Sequence, residues 1–76
     1  MMQRILIQDS RVYNCLQAVA KGYSEKTEVN GERVTYHLRE GSMIGGGVIT
    51  INPLKRIVEL NGIGTYVRNQ IQSCME

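Results

Sequence analysis

The sequence predicts an α+β fold with a short N-terminal strand and helix, an antiparallel β-hairpin or meander, and a C-terminal helix. Three features indicate it: apolar residues at helical spacing near both ends, an Asn-Gly pair between two β-type segments, and apolar–polar alternation after that pair. With 76 residues, the chain is expected to form a single small domain, residues 1–76. Because a core of this size is marginal, we also expect a homo-oligomer.

The first third of the chain predicts a strand followed by a helix. Residues 4–7 are apolar enough for a short strand, and residues 8–10 supply side-chain oxygens that suit a helix N-cap. Apolar residues then recur at the spacing of one helix face. They are Val12, Leu16, Val19, Ala20 and Tyr23. Lys21 and Gly22 predict the end of this helix, with the glycine in a left-handed conformation.

The middle of the chain predicts a hairpin over residues 26–38. Asn30-Gly31 suits a type I′ turn, in which both central residues have positive φ. The alternation that follows directs Tyr36 inward and His37 outward, so His37 is expected to be an exposed strand residue and not a metal ligand.

A glycine triplet precedes another predicted strand, residues 48–51. Gly41 and Gly46 have the spacing of a phosphate-binding P-loop, but Gly47-Val48 stands where that motif requires Lys followed by Ser or Thr. The triplet therefore predicts a bulge, a sharp bend or a close backbone approach.

Composition gives little indication of catalytic chemistry. The acidic residues form no evident acid/base pair, and the Ser, Cys and His residues match no nucleophile motif, so we expect no enzyme and no cofactor. Cys15 and Cys74 are expected to be reduced thiols in a cytoplasmic protein, since no signal peptide is evident. No metal-ligand spacing and no apolar segment of membrane-spanning length is present, so neither a metal site nor a membrane partner is expected.

The C-terminal third leaves two alternatives open for residues 53–60. They suit a helix with Asn52 as its N-cap and Pro53 in its first position. They equally suit a strand over 56–60 that pairs with 48–51 across a type I turn. Residues 65–75 predict a second helix, because apolar side chains keep the helical period there.

Within the helical alternative, Leu60-Asn61-Gly62-Ile63-Gly64 resembles the hairpin of the helix-hairpin-helix family. Ile71 matches a core position of that family's second helix. The resemblance implies DNA binding without sequence specificity, in which the N–H groups of Gly62 and Gly64 hold a phosphate. Lys55, Arg56 and Arg68 are expected to add phosphate contacts.

Within the strand alternative, residues 34–72 resemble the Sm-like RNA-binding family, including its bacterial RNA-chaperone branch. The residues at that family's first-motif spacing are Val34, Tyr36, Leu38, Gly41, Ile44, Gly46 and Val48. This resemblance implies RNA binding, with Gln8 and Arg68 as the matching contact residues. Leu54 and Asn69 stand where the family has an aromatic residue and a histidine.

The resulting hypothesis is a small, non-catalytic nucleic-acid-binding module that contacts phosphates of DNA or RNA through backbone N–H groups and basic side chains. The alternative is a protein-interaction module (an adaptor, an inhibitor or an assembly subunit) that acts through a sheet edge or an oligomer interface. The residues predicted to bind nucleic acid are Arg33, Arg39, Lys55, Arg56, Gly62, Ile63, Gly64 and Arg68.

Overall fold

The computed structural model describes residues 2–76. Its elements follow in the order β1 (Met2–Leu6), α1 (Ser10–Tyr23), β2 (Ser24–Asn30), β3 (Arg33–Leu38), β4 (Val48–Asn52), β5 (Ile57–Asn61) and α2 (Thr65–Met75). The predicted α+β class, with a helix near each end of an antiparallel sheet, is confirmed. Neither helix is long and apolar enough to cross a membrane.

The strands form one five-stranded antiparallel sheet in the order β1-β5-β4-β3-β2. Strands β2 to β5 form a meander, and β1 lies outside β5, to which it is joined through the register Met2↔Asn61 to Leu6↔Ile57. In the part of the chain that the structure describes, the first and last strands of this order, β1 and β2, each pair with one neighbour. The sheet therefore has two free edges.

Both helices pack on the same face of the sheet. Alternate residues of β3, β4 and β5 point into the core, and they meet apolar residues from one side of each helix. The strand residues are Tyr36, Leu38, Ile49, Ile51, Val58 and Leu60; the helix residues are Tyr13, Leu16, Ala20, Val67 and Ile71. Within residues 2–76, no helix covers the opposite face of the sheet, which is called the uncovered face below.

Helix α1 begins as predicted but ends later. The Asp9 carboxylate accepts hydrogen bonds from the N–H groups of Arg11 (2.8 Å) and Val12 (3.3 Å), which confirms the capping segment. The predicted left-handed stop at Gly22 is wrong, because the helix continues through Tyr23 and passes directly into β2.

The hairpin between β2 and β3 is confirmed, with a different turn type. Asn30 is the last residue of β2 and pairs with Arg33, so the two central turn residues are Gly31 and Glu32. Only Gly31 has a positive φ, of 63°. Positive φ at the first central residue alone is the pattern of a type II′ turn, which the same glycine also permits.

The ambiguous segment resolves to the strand alternative. Residues Ile57–Asn61 form β5 and pair with β4, so of the two alternatives the strand is confirmed and the helix over 53–60 is excluded. The side-chain oxygen of Asn52 caps the intervening turn and not a helix, because it accepts from the N–H groups of Leu54 (3.2 Å) and Lys55 (3.1 Å). The predicted C-terminal helix is confirmed by α2.

The expectation of reduced thiols is wrong. Cys15 in α1 and Cys74 in α2 form a disulfide with a Cα–Cα distance of 5.6 Å. The two helices lie side by side on the sheet, and this places residues 59 positions apart in sequence within bonding distance. The disulfide thus fastens the C-terminal helix to the N-terminal one.

Burial of Tyr36 predicts a loss of stability at alkaline pH. Desolvation, with a smaller contribution from the neighbouring Tyr13, raises the pKa of the Tyr36 phenol above its usual value of 10.0. The unfolded chain ionises first, so this contribution to stability is complete below pH 10 and is lost as the pH rises through the folded-state pKa. Urea unfolding from about pH 8 to about pH 11 should show a steeper loss for the wild type than for Tyr36→Phe. Equal losses of stability in the wild type and Tyr36→Phe would show that ionisation of Tyr36 does not cause the alkaline loss.

Candidate interaction site at the β1 edge

The structure distributes the basic residues of the nucleic-acid hypothesis over different parts of the molecule. Arg33 lies on the uncovered sheet face, where its guanidinium is 4.0 Å from the Glu59 carboxylate. Arg56 lies before β5, donates to the Ser10 hydroxyl (3.0 Å) and stacks over the Tyr13 ring at 4.9 Å. These two side chains have their own partners within the fold.

The remaining predicted side chains do not join them in one basic patch. Arg68 in α2 donates to the Gln3 amide oxygen (3.2 Å) beside β1. Lys55 is exposed in the β4–β5 turn, and Arg39 is exposed after β3, where its N–H donates to the Tyr23 carbonyl (3.0 Å). A concentrated basic face, which strong nucleic-acid binders present, is therefore not formed by this set.

The Gly62–Gly64 segment connects a strand to a helix and packs against the loop before β4. A Cβ on Gly64 would lie 2.7 Å from the Ile44 carbonyl oxygen, and one on Gly47 would lie 2.7 Å from the Gly62 carbonyl oxygen. Ile63 is buried in the core, with 8% of its surface exposed. The close backbone approach predicted for the glycine triplet is thus confirmed, and its partner is the predicted phosphate-binding hairpin itself.

The uncovered sheet face carries mixed polar and apolar side chains, and the aromatic ring it presents within residues 2–76 is the imidazole of His37, whose Nε2 lies 2.5 Å from Glu28 Oε1. Strand register aligns Arg4, Glu59, Thr50, Thr35 and Glu28 across its middle. All four tyrosines lie elsewhere, either in the helices or on the buried face. Stacking of nucleic-acid bases on this face would therefore depend on the single imidazole of His37, and not on a series of aromatic rings.

The β1 edge is the more apolar of the two free edges. Met2 and Leu6, at its ends, are each 59% exposed, and Leu6 lies across from the half-buried Ile57. Between them Arg4 points to the uncovered face, opposite Glu59. Arg4 forms no ion pair within residues 2–76. The edge therefore offers unpaired backbone groups, two apolar side chains and one unpartnered cation.

A groove runs along this edge on the helical side, between β1 and α2. It has a volume of about 130 Å³. Its apolar lining is Ile5, Leu60, Ile71 and Met75. Gln3, Arg68 and Gln72 form the polar part of the lining, and the hydrogen bond between Arg68 and Gln3 connects its two sides. A groove of this kind beside a free strand is suited to an aliphatic side chain of an added strand.

A larger cleft of about 600 Å³ lies near the opposite edge. Its ionisable lining residues are Glu25, Lys26, His37 and Glu40. His37 lies in a strand as expected but is half-buried where it was expected to be exposed, and its Nε2 lies 2.5 Å from Glu28 Oε1. Within residues 2–76, no group of three or more His, Cys, Asp or Glu side chains is arranged to hold a metal ion.

The β1 edge site is not visible in the sequence, because its two sides come from opposite ends of the chain. Gln3 and Arg68 are separated by 65 positions and meet only because β1 joins the sheet beyond β5. Arg68 was predicted as a contact residue, but for a phosphate.

Comparisons of the chain with protein-family models, with curated proteins and with solved structures found no match.

Proposed function

We propose that this protein is a non-catalytic protein-interaction module that binds an extended segment of another protein along β1. The observation that carries the proposal is the apolar groove beside an unpaired strand edge. An added strand gains main-chain hydrogen bonds from β1, while its alternate side chains enter the groove on one side and lie on the sheet face on the other.

The two sides of β1 specify the chemistry of the segment. Side chains on the helical side meet Ile5, Ile71 and Met75, so aliphatic residues suit those positions. The side chain between them points to the uncovered face and meets Arg4, so an acidic residue suits that position. The preferred pattern is aliphatic–acidic–aliphatic. The Cys15–Cys74 disulfide favours an oxidising compartment as the place of this interaction.

A labelled peptide Thr-Val-Glu-Val-Thr tests the proposal, with Thr-Val-Lys-Val-Thr as its charge-reversed control. We expect the acidic peptide to bind more tightly, and Arg4→Glu to reverse the preference, with a several-fold change for each peptide. Fluorescence polarisation measures the affinities, and amide chemical shifts locate the peptide. Binding that leaves the amides of residues 2–6 unshifted would contradict the proposed edge.

The groove has a matched pair of methionine variants. Met75→Gln places a polar amide in the groove. It should lower the affinity for the acidic peptide several-fold, because the valine side chains of the peptide lose an apolar contact. Met43→Gln is the control, since Met43 is 67% exposed and lies outside the groove. Equal effects of the two substitutions would show that the groove does not receive the peptide.

Nucleic-acid binding is the second candidate, favoured by the start of α2. Gly64 is the N-cap and has no side chain to accept from the first-turn N–H groups, so these donors and the helix dipole are available to an anion. Lys55 and Arg56 precede β5 and lie at the opposite end of that strand from the start of α2, so they would contact other phosphates than the one at Gly64. Titration of labelled duplex DNA, single-stranded DNA and RNA at low salt tests this. Absence of binding to all three would dispose of it.

A further inference from the structure

We propose that two copies of this chain associate through their β2 edges, in antiparallel pairing across a two-fold axis at Thr27. Strand β2 lies at the edge opposite β1 and is hydrogen-bonded to β3 alone. Ser24 is half-exposed and the other six of its seven residues are exposed. The proposed pairing would join two five-stranded sheets into one continuous sheet.

The side of β2 nearest the helices is not covered by them. Strand register places Thr27 and Val29 on that side, beside Tyr36 and Val34. Val29 remains 76% exposed, although its neighbour Val34 packs partly against the core. A second β2 strand paired about Thr27 would bring its own Thr27 diagonally beside Val29 and so cover part of this apolar surface.

The charges of β2 select one register. In antiparallel pairing, directly opposed residues point to the same side of the sheet. Lys26 and Glu28 share the uncovered side, as shown by their partners His37 and Thr35 in β3. When Thr27 stands on the two-fold axis, Lys26 of each copy lies opposite Glu28 of the other. The pairing therefore forms two identical cross-strand ion pairs.

The neighbouring registers are disfavoured by the same side chains. An axis at Lys26 would oppose two ammonium groups, and an axis at Glu28 would oppose two carboxylates, both of which destabilise a strand pair. An axis at Val29 would place Lys26 opposite Glu32, in the turn beyond Asn30, so the paired β2 strands themselves would hold no cross-strand ion pair. Lys26 and Glu28 thus disfavour the addition of unrelated strands to β2. They allow a second copy to pair in the register with Thr27 on the axis.

Glu28 is already held in a suitable position. Its Oε1 lies 2.5 Å from His37 Nε2, which anchors the carboxylate on the uncovered face of its own sheet. A carboxylate has acceptor capacity on both oxygens, so Oε2 remains available to Lys26 of the second copy. The register shift between Ser24 and Lys26 leaves Glu25 outside the ladder with β3 and restricts regular pairing to the segment after it.

Charge reversal tests the register, with sedimentation or native mass spectrometry as the readout. We expect the wild type to dimerise, and Lys26→Glu or Glu28→Lys alone to weaken the dimer about tenfold, because each puts like charges opposite each other twice. The double variant Lys26→Glu/Glu28→Lys should dimerise like the wild type. A mixture of the two single variants should form a heterodimer in preference to either homodimer.

A wild type that stays monomeric at all accessible concentrations would overturn the proposal, as would a double variant that dimerises no better than the single variants.

Cross-linking gives an independent measurement of register. Thr27→Cys should be joined efficiently by a short bismaleimide, since the two residues face each other. Val29→Cys is more exposed but would lie several residues from its copy, so efficient linkage there would also overturn the register.

The result is separable from peptide binding at β1, which lies at the other edge of the sheet. Lys26→Glu should leave the affinity for Thr-Val-Glu-Val-Thr unchanged while it weakens the dimer. Loss of both together would overturn the assignment of the dimer to β2, and a dimer without peptide binding would leave this inference supported and the β1 proposal refuted.

Discussion

Replacement of both cysteines, as Cys15→Ser/Cys74→Ser, is expected to lower the free energy of unfolding by about 4 kcal/mol. The disulfide closes a loop between residues 59 positions apart, and a loop of that length removes much conformational freedom from the unfolded chain. For a domain of this size, the loss is a large share of the total stability. Urea unfolding of the oxidised wild type and of the double serine variant measures the difference.

Reduction of the wild type is the control, because it breaks the same bond without any substitution. The reduced protein and the double serine variant should unfold at similar urea concentrations. An oxidised wild type that unfolds at the same concentration as both would refute the stabilising role of the bond. Titration of free thiols in the unfolded wild type checks that both cysteines are oxidised, since a Cys15–Cys74 bond leaves no free thiol.

The disulfide also connects stability to the proposed interaction site. Helix α2 supplies one wall of the groove through Ile71 and Met75, and Cys74 lies between them in sequence, near the C-terminal end of that helix. Without the bond, the last turn of α2 is fastened by apolar packing alone. We therefore expect the reduced protein to bind the acidic peptide more weakly even below its unfolding midpoint.

The sequence was sufficient to predict the elements whose pattern is local. Asp9 caps α1 as expected, because capping depends on a few neighbouring residues. Asn30-Gly31 located the hairpin, although the turn uses Gly31 and Glu32 as its central pair. Helix α2 was predicted from its apolar period, and the period is kept by Val67 and Ile71 in the core.

Features that depend on distant contacts could not be predicted. The apolar residues Ile57, Val58 and Leu60 fit both a helix and a strand, and pairing with β4 on one side and β1 on the other decides for the strand. The disulfide likewise requires α1 and α2 to lie side by side. The spacing of residues along the chain shows neither the pairing of β5 nor the contact between α1 and α2. The β1 groove could not be predicted for the same reason, because its lining also comes from distant parts of the chain.

Gly47→Ala is expected to destabilise the fold by about 3 kcal/mol or more. Gly47 has a φ of 101°, which an L-residue with a side chain rarely adopts. An added Cβ would lie 2.7 Å from the Gly62 carbonyl oxygen and 2.9 Å from the Ile63 Cα, and both are backbone atoms that cannot turn aside as a side chain would. The loop before β4 and the start of α2 would therefore have to separate. Thermal or urea unfolding measures the loss.

Gly41→Ala is the matched control in the same loop. Gly41 lacks a positive φ, and nothing lies within 4 Å of the position its Cβ would occupy. Its substitution should leave stability nearly unchanged, since a small side chain there meets no atom and restricts only the unfolded chain. If Gly47→Ala were as stable as Gly41→Ala, the glycine triplet would not pack against Gly62 and Ile63. Strong destabilisation of Gly47→Ala alone would tie the loop to the strand-to-helix connection whose pattern first suggested a phosphate-binding hairpin.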